Sequence, residues 1–248
     1  MLNEQTFEKL GEMNLKSMGK ALRDQIADPA MREMSFDDRF GLLVDRQWED
    51  RRNKQIARLT KAATFKISNA CIENIEYHPD RRLNKEYILK LAAGNYIKEK
   101  QNIIIMGASG AGKSYMGCAL GVSACRHSQK TKYIRLPELL EDLHIARGEG
   151  TYKKIIAAYK KYKLLILDEW LLNPLKVAQI ADLFEIIESR CDESSTIFIS
   201  QSAPGGWLQM IGEGRIADAI LDRIVHNSHE IMIEGDISMR ERKGLTAK

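Results

Sequence analysis

The chain has 248 residues, of which 44% are hydrophobic and 29% are charged, and its formal net charge is +4. This length allows one α/β core and a small additional domain. No apolar run approaches the roughly 20 residues that a membrane-spanning helix requires. The N-terminal sequence also lacks the basic-then-apolar pattern of a secretory signal. We therefore expect a cytoplasmic protein that has no membrane partner.

The cysteines and histidines do not form a disulfide or metal-binding pattern. The four cysteines are far apart, with no Cys-x-x-Cys pair, and are expected to be free thiols. His226 and His229 are close enough in sequence to share a metal ion, but no cysteine or matching carboxylate set lies near them. The modest positive charge permits an anionic partner without requiring one.

The N-terminal region, residues 1–70, predicts a separate small helical domain, because it is rich in charge and methionine and contains no strand pattern. A break at Asp28-Pro29 separates two helices. Ser35 is expected to cap the second helix, since Asp38 stands three residues later. We expect this domain to bind DNA, to mediate self-association, or to do both.

A basic stripe is expected on the second of these helices. Arg51, Lys54, Arg58 and Lys61 are spaced 3, 4 and 3 residues apart, which places them on one narrow arc, with Trp48 on the roughly opposite arc. Such a stripe suits phosphate contacts of weak sequence preference, as in binding to duplex DNA. The alternative is an ordinary solvated face. A second basic group of the same kind comprises Lys153, Lys154, Lys160, Lys161 and Lys163.

Residues 71–248 alternate between strand and helix patterns, which predicts a parallel sheet covered by helices on both faces. Before the helix that follows the third strand, Asn173 is the expected cap and Pro174 the expected first residue. The fold class is therefore α/β: a P-loop NTPase domain with a five-stranded parallel sheet. The predicted strands are Ile103–Met106, Lys132–Arg135, Leu164–Leu167, Thr196–Ser200 and Glu230–Ile233.

A phosphate-binding loop is predicted where the first strand ends. The run Gly107-Ala108-Ser109-Gly110-Ala111-Gly112-Lys113-Ser114 matches GxxxxGK[ST], and a helical stretch follows from Tyr115. Backbone N–H groups of such a loop, at a helix N-terminus, bind phosphate oxygens. Lys113 would reach the β- and γ-phosphates and the Ser114 hydroxyl would ligate Mg²⁺. ATP and Mg²⁺ are the expected cofactors.

Polar side chains follow the third and fourth strands. Asp168 is the expected Mg²⁺ ligand, and Glu169 is the expected general base for an attacking water. At the end of the fourth strand, Gln201 is the first candidate, and Ser200 the second, for contacting the γ-phosphate or this water. The alternatives are a solvated acidic pair and a polar cap on a strand.

Two late arginines are candidates for phosphate contacts. Arg223 follows a helical pattern and could act as a finger that reaches an ATP held by a neighbouring subunit. Its alternative is an ion pair with Asp218 or Asp222. Arg240 is the second candidate. The segment from Ile72 to Leu91 is a positional guess for the adenine contact.

Several of these motifs together resemble one known family, the IstB-type ATPases, which are transposition helpers of two-gene insertion sequences and relatives of the DnaC helicase loaders. The resemblance covers essentially the whole chain. It rests on Asp168-Glu169-Trp170, Ser200-Gln201, Trp207, the run through Arg223-Ile-Val-His226-Asn and Ser238-Met-Arg240.

The resemblance implies an AAA+ ATPase with an arginine finger at Arg223 and a second sensor arginine at Arg240. It also implies a homo-oligomer on double-stranded DNA, with ATP at subunit interfaces, that stimulates a partner transposase. Only about 15 residues follow the fifth strand, so a truncated lid is expected, with Arg240 acting from a short tail. Leu171-Leu172 stand where many relatives have a glycine.

Two other function classes remain open. A DnaC-like helicase loader would use the same core but grip a protein with its N-terminal domain and prefer single-stranded DNA. A metabolic P-loop kinase would need an acceptor-substrate site. The Asp168-Glu169 pair and the two late arginines argue against the kinase.

Overall fold

The computed structural model describes residues 4–235, 237–242 and 244, and the chain divides into two compact units, one ending at Arg58 and one beginning at Leu59. The sequence predicted this boundary at residue 70. It falls earlier because Ala63, Phe65 and Ala70 are buried in the hydrophobic core of the second unit. The last residues of the predicted ATPase domain, 245–248, lie outside the described part.

The first unit is helical. Its elements are α1 (Glu4–Glu12), α2 (Lys16–Ala27), a short 3-10 turn (Pro29–Arg32) and α3 (Phe36–Ala63), whose last residues belong to the second unit. The predicted break at Asp28-Pro29 is present. The predicted cap on α3 is also present: Ser35 Oγ accepts the Asp38 N–H at 3.2 Å and donates to Asp38 Oδ2 at 2.6 Å.

The second unit contains one five-stranded sheet of strand order β2-β3-β4-β1-β5, with every pair parallel, as predicted. The strand that comes fourth in sequence therefore lies between the first and the third. Because the carboxyl ends of parallel strands share one edge, the ends of β1, β4 and β3 lie side by side there. The strands are β1 (Asn102–Gly107), β2 (Thr131–Arg135), β3 (Leu164–Trp170), β4 (Ser195–Ser200) and β5 (Ser228–Ile233).

Helices cover both faces of the sheet, because side chains alternate between the faces along each strand. Ile103 and Ile105 enter the core that contains α4 and α6, whereas Ile104 and Met106 enter the core beneath α7, α9 and α11. The helices are α4 (Lys85–Ala92), α5 (Asn95–Lys98), α6 (Lys113–Arg126), α7 (Leu136–Gly148), α8 (Tyr152–Lys160), α9 (Val177–Arg190), α10 (Trp207–Ile211), α11 (Arg215–Val225) and α12 (Met239–Arg242).

Helix α6 approaches the sheet closely through two glycines one turn apart. A Cβ atom on Gly117 would lie 2.5 Å from Ile199 Cδ1 of β4, and one on Gly121 would lie 2.7 Å from Ile166 Cδ1 of β3. Such contacts are too short for real carbon atoms, so a side chain at either position would push the helix away. The glycines thus fix the height of α6, and of the loop that precedes it, above the sheet.

The predicted start of α9 is wrong. The helix begins at Val177 and not at Pro174. Leu175 donates its backbone N–H to Met210 O at 2.8 Å, and the Lys176 N–H is taken by Gln179 Oε1 at 2.9 Å. A tertiary hydrogen bond therefore holds this segment outside the helix despite a favourable local pattern.

Among the described residues, no helix has both the length and the apolar character needed to cross a membrane.

Candidate nucleotide-binding site

The predicted phosphate loop connects the end of β1 to the start of α6. Gly107, Gly110 and Gly112 have φ angles of 148°, 82° and 93°, which L-residues with side chains rarely adopt. A Cβ atom on Gly107 would also collide with Ile233 O of the neighbouring strand. Because α6 begins at Lys113, the loop presents its backbone N–H groups at a helix N-terminus, where the dipole favours an anion.

The Lys113 side chain folds back over this loop. Its ammonium donates to Gly107 O at 2.7 Å and to Ala108 O at 2.8 Å. Burial lowers the pKa of Lys113, while nearby Asp168 acts in the opposite direction. A buried cation bonded to two carbonyl oxygens is well placed to exchange them for phosphate oxygens, which carry more negative charge.

The loop joins the tip of β3 through one hydrogen bond. Ser114 Oγ donates to Asp168 Oδ2 at 2.7 Å, and Asp168 Oδ1 accepts the Glu169 N–H at 2.8 Å. The Asp168 side chain is buried. A hydroxyl and a carboxylate in contact are the oxygen donors that Mg²⁺ takes in phosphate sites, so these two side chains fit that ion.

Backbone geometry turns sharply after Asp168. Glu169 and Leu171 have φ angles of 56° and 49°, in the left-handed region that costs a non-glycine residue about 1 kcal/mol. The pairing of β3 with β4 is irregular between Leu167 and Trp170. Glycine would adopt the Leu171 conformation at little cost, so the leucine here carries a backbone strain that a glycine would not. The result of the turn is that Glu169 lines the cavity beside the loop.

Two side chains of β2 contact this acidic pair, and neither was predicted from the sequence. Tyr133 Oη donates to Asp168 Oδ2 at 2.5 Å, and Arg135 Nη1 lies 3.6 Å from Glu169 Oε2. Arg135 also pairs with Glu138 at 2.6 Å, and this hydrogen bond, followed by the charge of Glu169, raises the pKa of Arg135. A tyrosine in a predicted strand is indistinguishable from a core residue in one sequence, so no local signal marked it.

The two candidates at the end of β4, Gln201 and Ser200, have different surroundings. Gln201 lines the cavity, whereas Ser200 is buried and bonded elsewhere. Ser200 Oγ accepts the Trp207 Nε1–H at 3.1 Å and lies 3.3 Å from Trp170 O, to which it donates. The second candidate therefore faces the packing between β4 and α10, and of the two it is Gln201 that is available to a ligand.

A cavity of about 500 Å³ extends from the loop along the first residues of the second unit. Asn74, Ile75 and Glu76 line it, so the segment guessed as the adenine contact does border the cavity. Tyr115 lines it as well, and its hydroxyl accepts the Cys71 N–H at 3.3 Å.

Arg81 contacts the loop and also lines the cavity, and it was not predicted from the sequence. It is buried, and its guanidinium donates to Ala111 O at 2.9 Å and to Glu76 O. Burial lowers the pKa of Arg81, and the negative charge of Glu76 opposes this effect. An arginine at position 81, within a turn-rich segment, carried no motif that would have identified it.

The C-terminal segment reaches the same cavity. Met239 donates its N–H to Gly110 O at 3.0 Å, and Arg242 pairs with Asp80 at 2.5 Å. Arg240, which lies between these two anchors, lines the cavity. The C-terminal segment therefore brings Arg240 to the cavity beside the loop.

The structure places Arg223 away from this cavity, at the surface of α11. Its guanidinium pairs with Glu188 of α9 at 2.5 Å, and Nη1 donates to Ala219 O at 3.0 Å. The ion pairs with Asp218 or Asp222 that the sequence left open are replaced by this pair with Glu188. Arg223 is absent from the described residues that line this cavity.

The basic stripe is exposed along α3, at Arg51, Lys54, Arg58 and Lys61. Lys54 also pairs with Asp50 at 2.7 Å. The sequence placed Trp48 on an opposite, packed arc, and this is wrong: the side chain is 58% exposed. Standing three residues before Arg51, it lies only about 60° from that residue around the helix. In the second basic group, the described lysines at 153, 154, 160, 161 and 163 are all exposed.

The two candidates on β4 give a first prediction. Ser200→Ala removes one acceptor of a buried indole N–H, and Ser202 O, 3.1 Å away, remains to accept it. The variant should therefore lose about 1 kcal/mol of unfolding free energy, measured by urea denaturation. Its ATP affinity should stay at the wild-type value. Reduced ATP affinity in a stable Ser200→Ala protein would show that this hydroxyl contacts the ligand after all.

Comparison with known proteins agrees with the site geometry. A family model described as IstB-like ATP binding protein matches residues 8–247. A Sinorhizobium fredii protein named as an insertion sequence ATP-binding protein, y4pL, is 37% identical over 243 residues, which are 98% of this chain and 99% of that protein.

Two solved structures share the fold. The replication initiator DnaA bound to AMPPCP and single-stranded DNA has a TM-score of 0.60 at 21% identity, over 71% of this chain and 53% of that one. The DnaC helicase loader has a TM-score of 0.56 at 17% identity, over 67% of this chain and 97% of that one. At such identities the likeness establishes the fold of the second unit and nothing finer. With the family match over nearly its whole length, the chain belongs to the IstB-like ATP binding proteins of insertion sequences.

Proposed function

We propose that this protein is a Mg²⁺-dependent ATPase that assembles on duplex DNA and acts as a transposition helper, selecting target DNA and stimulating a partner transposase. One observation carries the proposal: the glycine loop, the Ser114–Asp168 pair and Glu169 converge on one cavity. The insertion sequence names of the relatives supply the biological setting.

In this proposal the loop N–H groups and Lys113 bind the β- and γ-phosphates, and Ser114 and Asp168 hold Mg²⁺. The bound ion would supply charge neutralisation on the phosphate oxygens. Glu169 takes a proton from the attacking water while the water oxygen bonds to the γ-phosphorus. The bond between the γ-phosphorus and the β–γ bridging oxygen breaks. The products are ADP, phosphate and the released proton. Gln201 contacts the γ-phosphate or the water, and Arg240 adds a cation from the tail.

Binding and hydrolysis should separate in two variants. Lys113→Ala removes the buried cation that faces the phosphates, so ATP affinity should fall strongly. Glu169→Gln keeps the shape of the side chain but cannot accept the proton. Hydrolysis should therefore drop by roughly a hundredfold or more, with ATP affinity retained. Fluorescent-nucleotide titration and phosphate release measure the two quantities. A Glu169→Gln protein that hydrolyses ATP normally would remove Glu169 from the mechanism.

Arg223 is proposed to complete the ATP site of a neighbouring subunit. Two observations support this role: among the described residues it is absent from the lining of its own cavity, and its guanidinium is partly exposed. To reach a neighbour's γ-phosphate it must leave Glu188. In this exchange the Arg223 guanidinium gives up one carboxylate for a more highly charged phosphate. The exchange is therefore electrostatically favourable only when the neighbouring subunit has ATP bound.

A mixing experiment tests this shared site. Arg223→Ala and Lys113→Ala should each abolish hydrolysis alone, whereas their mixture should recover activity. In mixed assemblies an intact phosphate loop meets an intact arginine from the neighbouring subunit. Arg215→Ala, a matched control that removes an exposed arginine from the same helix, should keep normal activity. No recovery in the mixture would contradict a finger acting between subunits.

The exposed stripe on α3 is proposed as a duplex DNA contact. Replacement of Arg51, Lys54, Arg58 and Lys61 by alanine should weaken duplex binding uniformly across sequences. The slope of the logarithm of the binding constant against the logarithm of the salt concentration should also fall in magnitude by about 1 for each phosphate that is no longer neutralised. Gel shifts at several salt concentrations measure this slope. A companion variant replaces Lys153, Lys154, Lys160 and Lys161, which belong to the second candidate group for DNA contact. If only this companion variant weakens binding, the stripe does not bind the DNA.

The helicase loader is the second candidate function, and the DnaC likeness supports it at the level of fold. It differs in its ligand. A loader would prefer single-stranded DNA and bind a helicase, so tight binding restricted to single strands would favour it over the transposition helper.

A further inference from the structure

Tyr133 is buried in β2, an edge strand of the sheet, and its hydroxyl is bonded to the acidic tip of β3. The hydroxyl donates to Asp168 Oδ2 at 2.5 Å. The same oxygen accepts Ser114 Oγ at 2.7 Å, while Oδ1 accepts the Glu169 N–H. Both oxygens of the Asp168 carboxylate are therefore held by donors from three different parts of the chain.

Sheet register explains why a β2 residue reaches this carboxylate. Tyr133 lies opposite Ile166 on β3, and Arg135 lies opposite Asp168. Side chains two residues apart on a strand share a face, so Tyr133 and Asp168 are diagonal neighbours on the same face. An aromatic ring spans that diagonal, and a shorter hydroxyl side chain at position 133 would not.

The ring and the hydroxyl have separate environments. The ring belongs to the same buried cluster as Ile166 and Cys118, which fixes its position by packing. The hydroxyl is directed at a buried carboxylate, and Tyr133 is absent from the described residues that line the nucleotide cavity. Tyr133 therefore cannot act on a nucleotide directly and can act only through Asp168.

We propose that Tyr133 is a positioning residue that holds Asp168 in the orientation that binds Mg²⁺ and so sets the affinity of the site for Mg²⁺–ATP. This inference rests on the proposed ATPase function. A side-chain carboxylate rotates about two bonds, and Ser114 alone would anchor Oδ2 through a group that itself must ligate the ion. The tyrosine hydroxyl supplies an anchor that the ion does not share.

Partners of this kind, which orient a metal ligand without touching the metal, typically change metal affinity by 10–100-fold when they are removed. Tyr133→Phe removes one oxygen atom and leaves the buried ring in place. Asp168 retains its hydrogen bonds with Ser114 and the Glu169 N–H in the variant, so the fold should be retained while the carboxylate gains freedom to turn.

The test measures the affinity of a fluorescent ATP analogue with MgCl₂ and with EDTA, together with the Mg²⁺ concentration that gives half-saturation. Tyr133→Phe should raise that concentration about tenfold, with affinity in EDTA unchanged. Tyr96→Phe is the matched control, since Tyr96 Oη is buried in the same core without a hydrogen-bond partner among the described residues. This control should match the wild type in both conditions.

Three outcomes would overturn the proposal, and they differ in what they imply. An unchanged Mg²⁺ half-saturation in Tyr133→Phe would remove the positioning role and leave the ATPase proposal standing. An equal loss of affinity in MgCl₂ and in EDTA would assign Tyr133 a general packing role. If the wild-type protein bound ATP with the same affinity in MgCl₂ and in EDTA, the Mg²⁺–ATP function itself would be wrong.

A second variant keeps the test decisive if the first does not fold. Tyr133→His keeps an aromatic ring but is too short to bring its N–H to Asp168, so its Mg²⁺ half-saturation should match that of the phenylalanine variant. In an Asp168→Asn background, either change at position 133 should have no further effect on the Mg²⁺ dependence, because both residues act through one contact. An additive effect there would contradict the proposal.

Discussion

The site depends on one hydrogen bond, from Ser114 Oγ to Asp168 Oδ2 at 2.7 Å. It joins the helix after β1 to the tip of β3, strands that β4 separates in the sheet. The bond can form only because the sheet is parallel in this order and because Gly117 and Gly121 let α6 lie close above it. This single hydrogen bond therefore depends on the order of the strands, on the height of α6 above the sheet and on the conformation of the loop.

Positively charged side chains lie beside the loop near that bond, and the backbone is strained where the chain turns after Asp168. The buried Lys113 ammonium is bonded to two carbonyl oxygens of the loop, and Arg81 donates to Ala111 O. Glu169 adopts a left-handed backbone conformation that brings its carboxylate to the cavity, where Arg135 lies 3.6 Å away. Unfavourable backbone geometry concentrated at one position is typical of sites that are organised for binding or catalysis.

Local patterns predicted the sheet and the loop, because apolar runs and GxxxxGK[ST] are contiguous in sequence. They also placed Arg240 and Gln201 at the cavity. They could not find Tyr133, which is 35 residues from Asp168, nor Glu188 as the partner of Arg223, because those contacts exist only once strands and helices have packed. For the same reason the predicted start of α9 was wrong: the Leu175–Met210 hydrogen bond overrides a good local cap.

A site completed between subunits is the central claim, and imaging the assembled protein tests it most directly. Cryo-electron microscopy would be done on the full chain with duplex DNA and a non-hydrolysable ATP analogue. We expect ordered multimers in which Arg223 has left Glu188 and contacts the γ-phosphate held by the neighbouring Lys113. Nucleotide-bound protein that remains monomeric, or multimers in which Arg223 stays on Glu188, would contradict the claim.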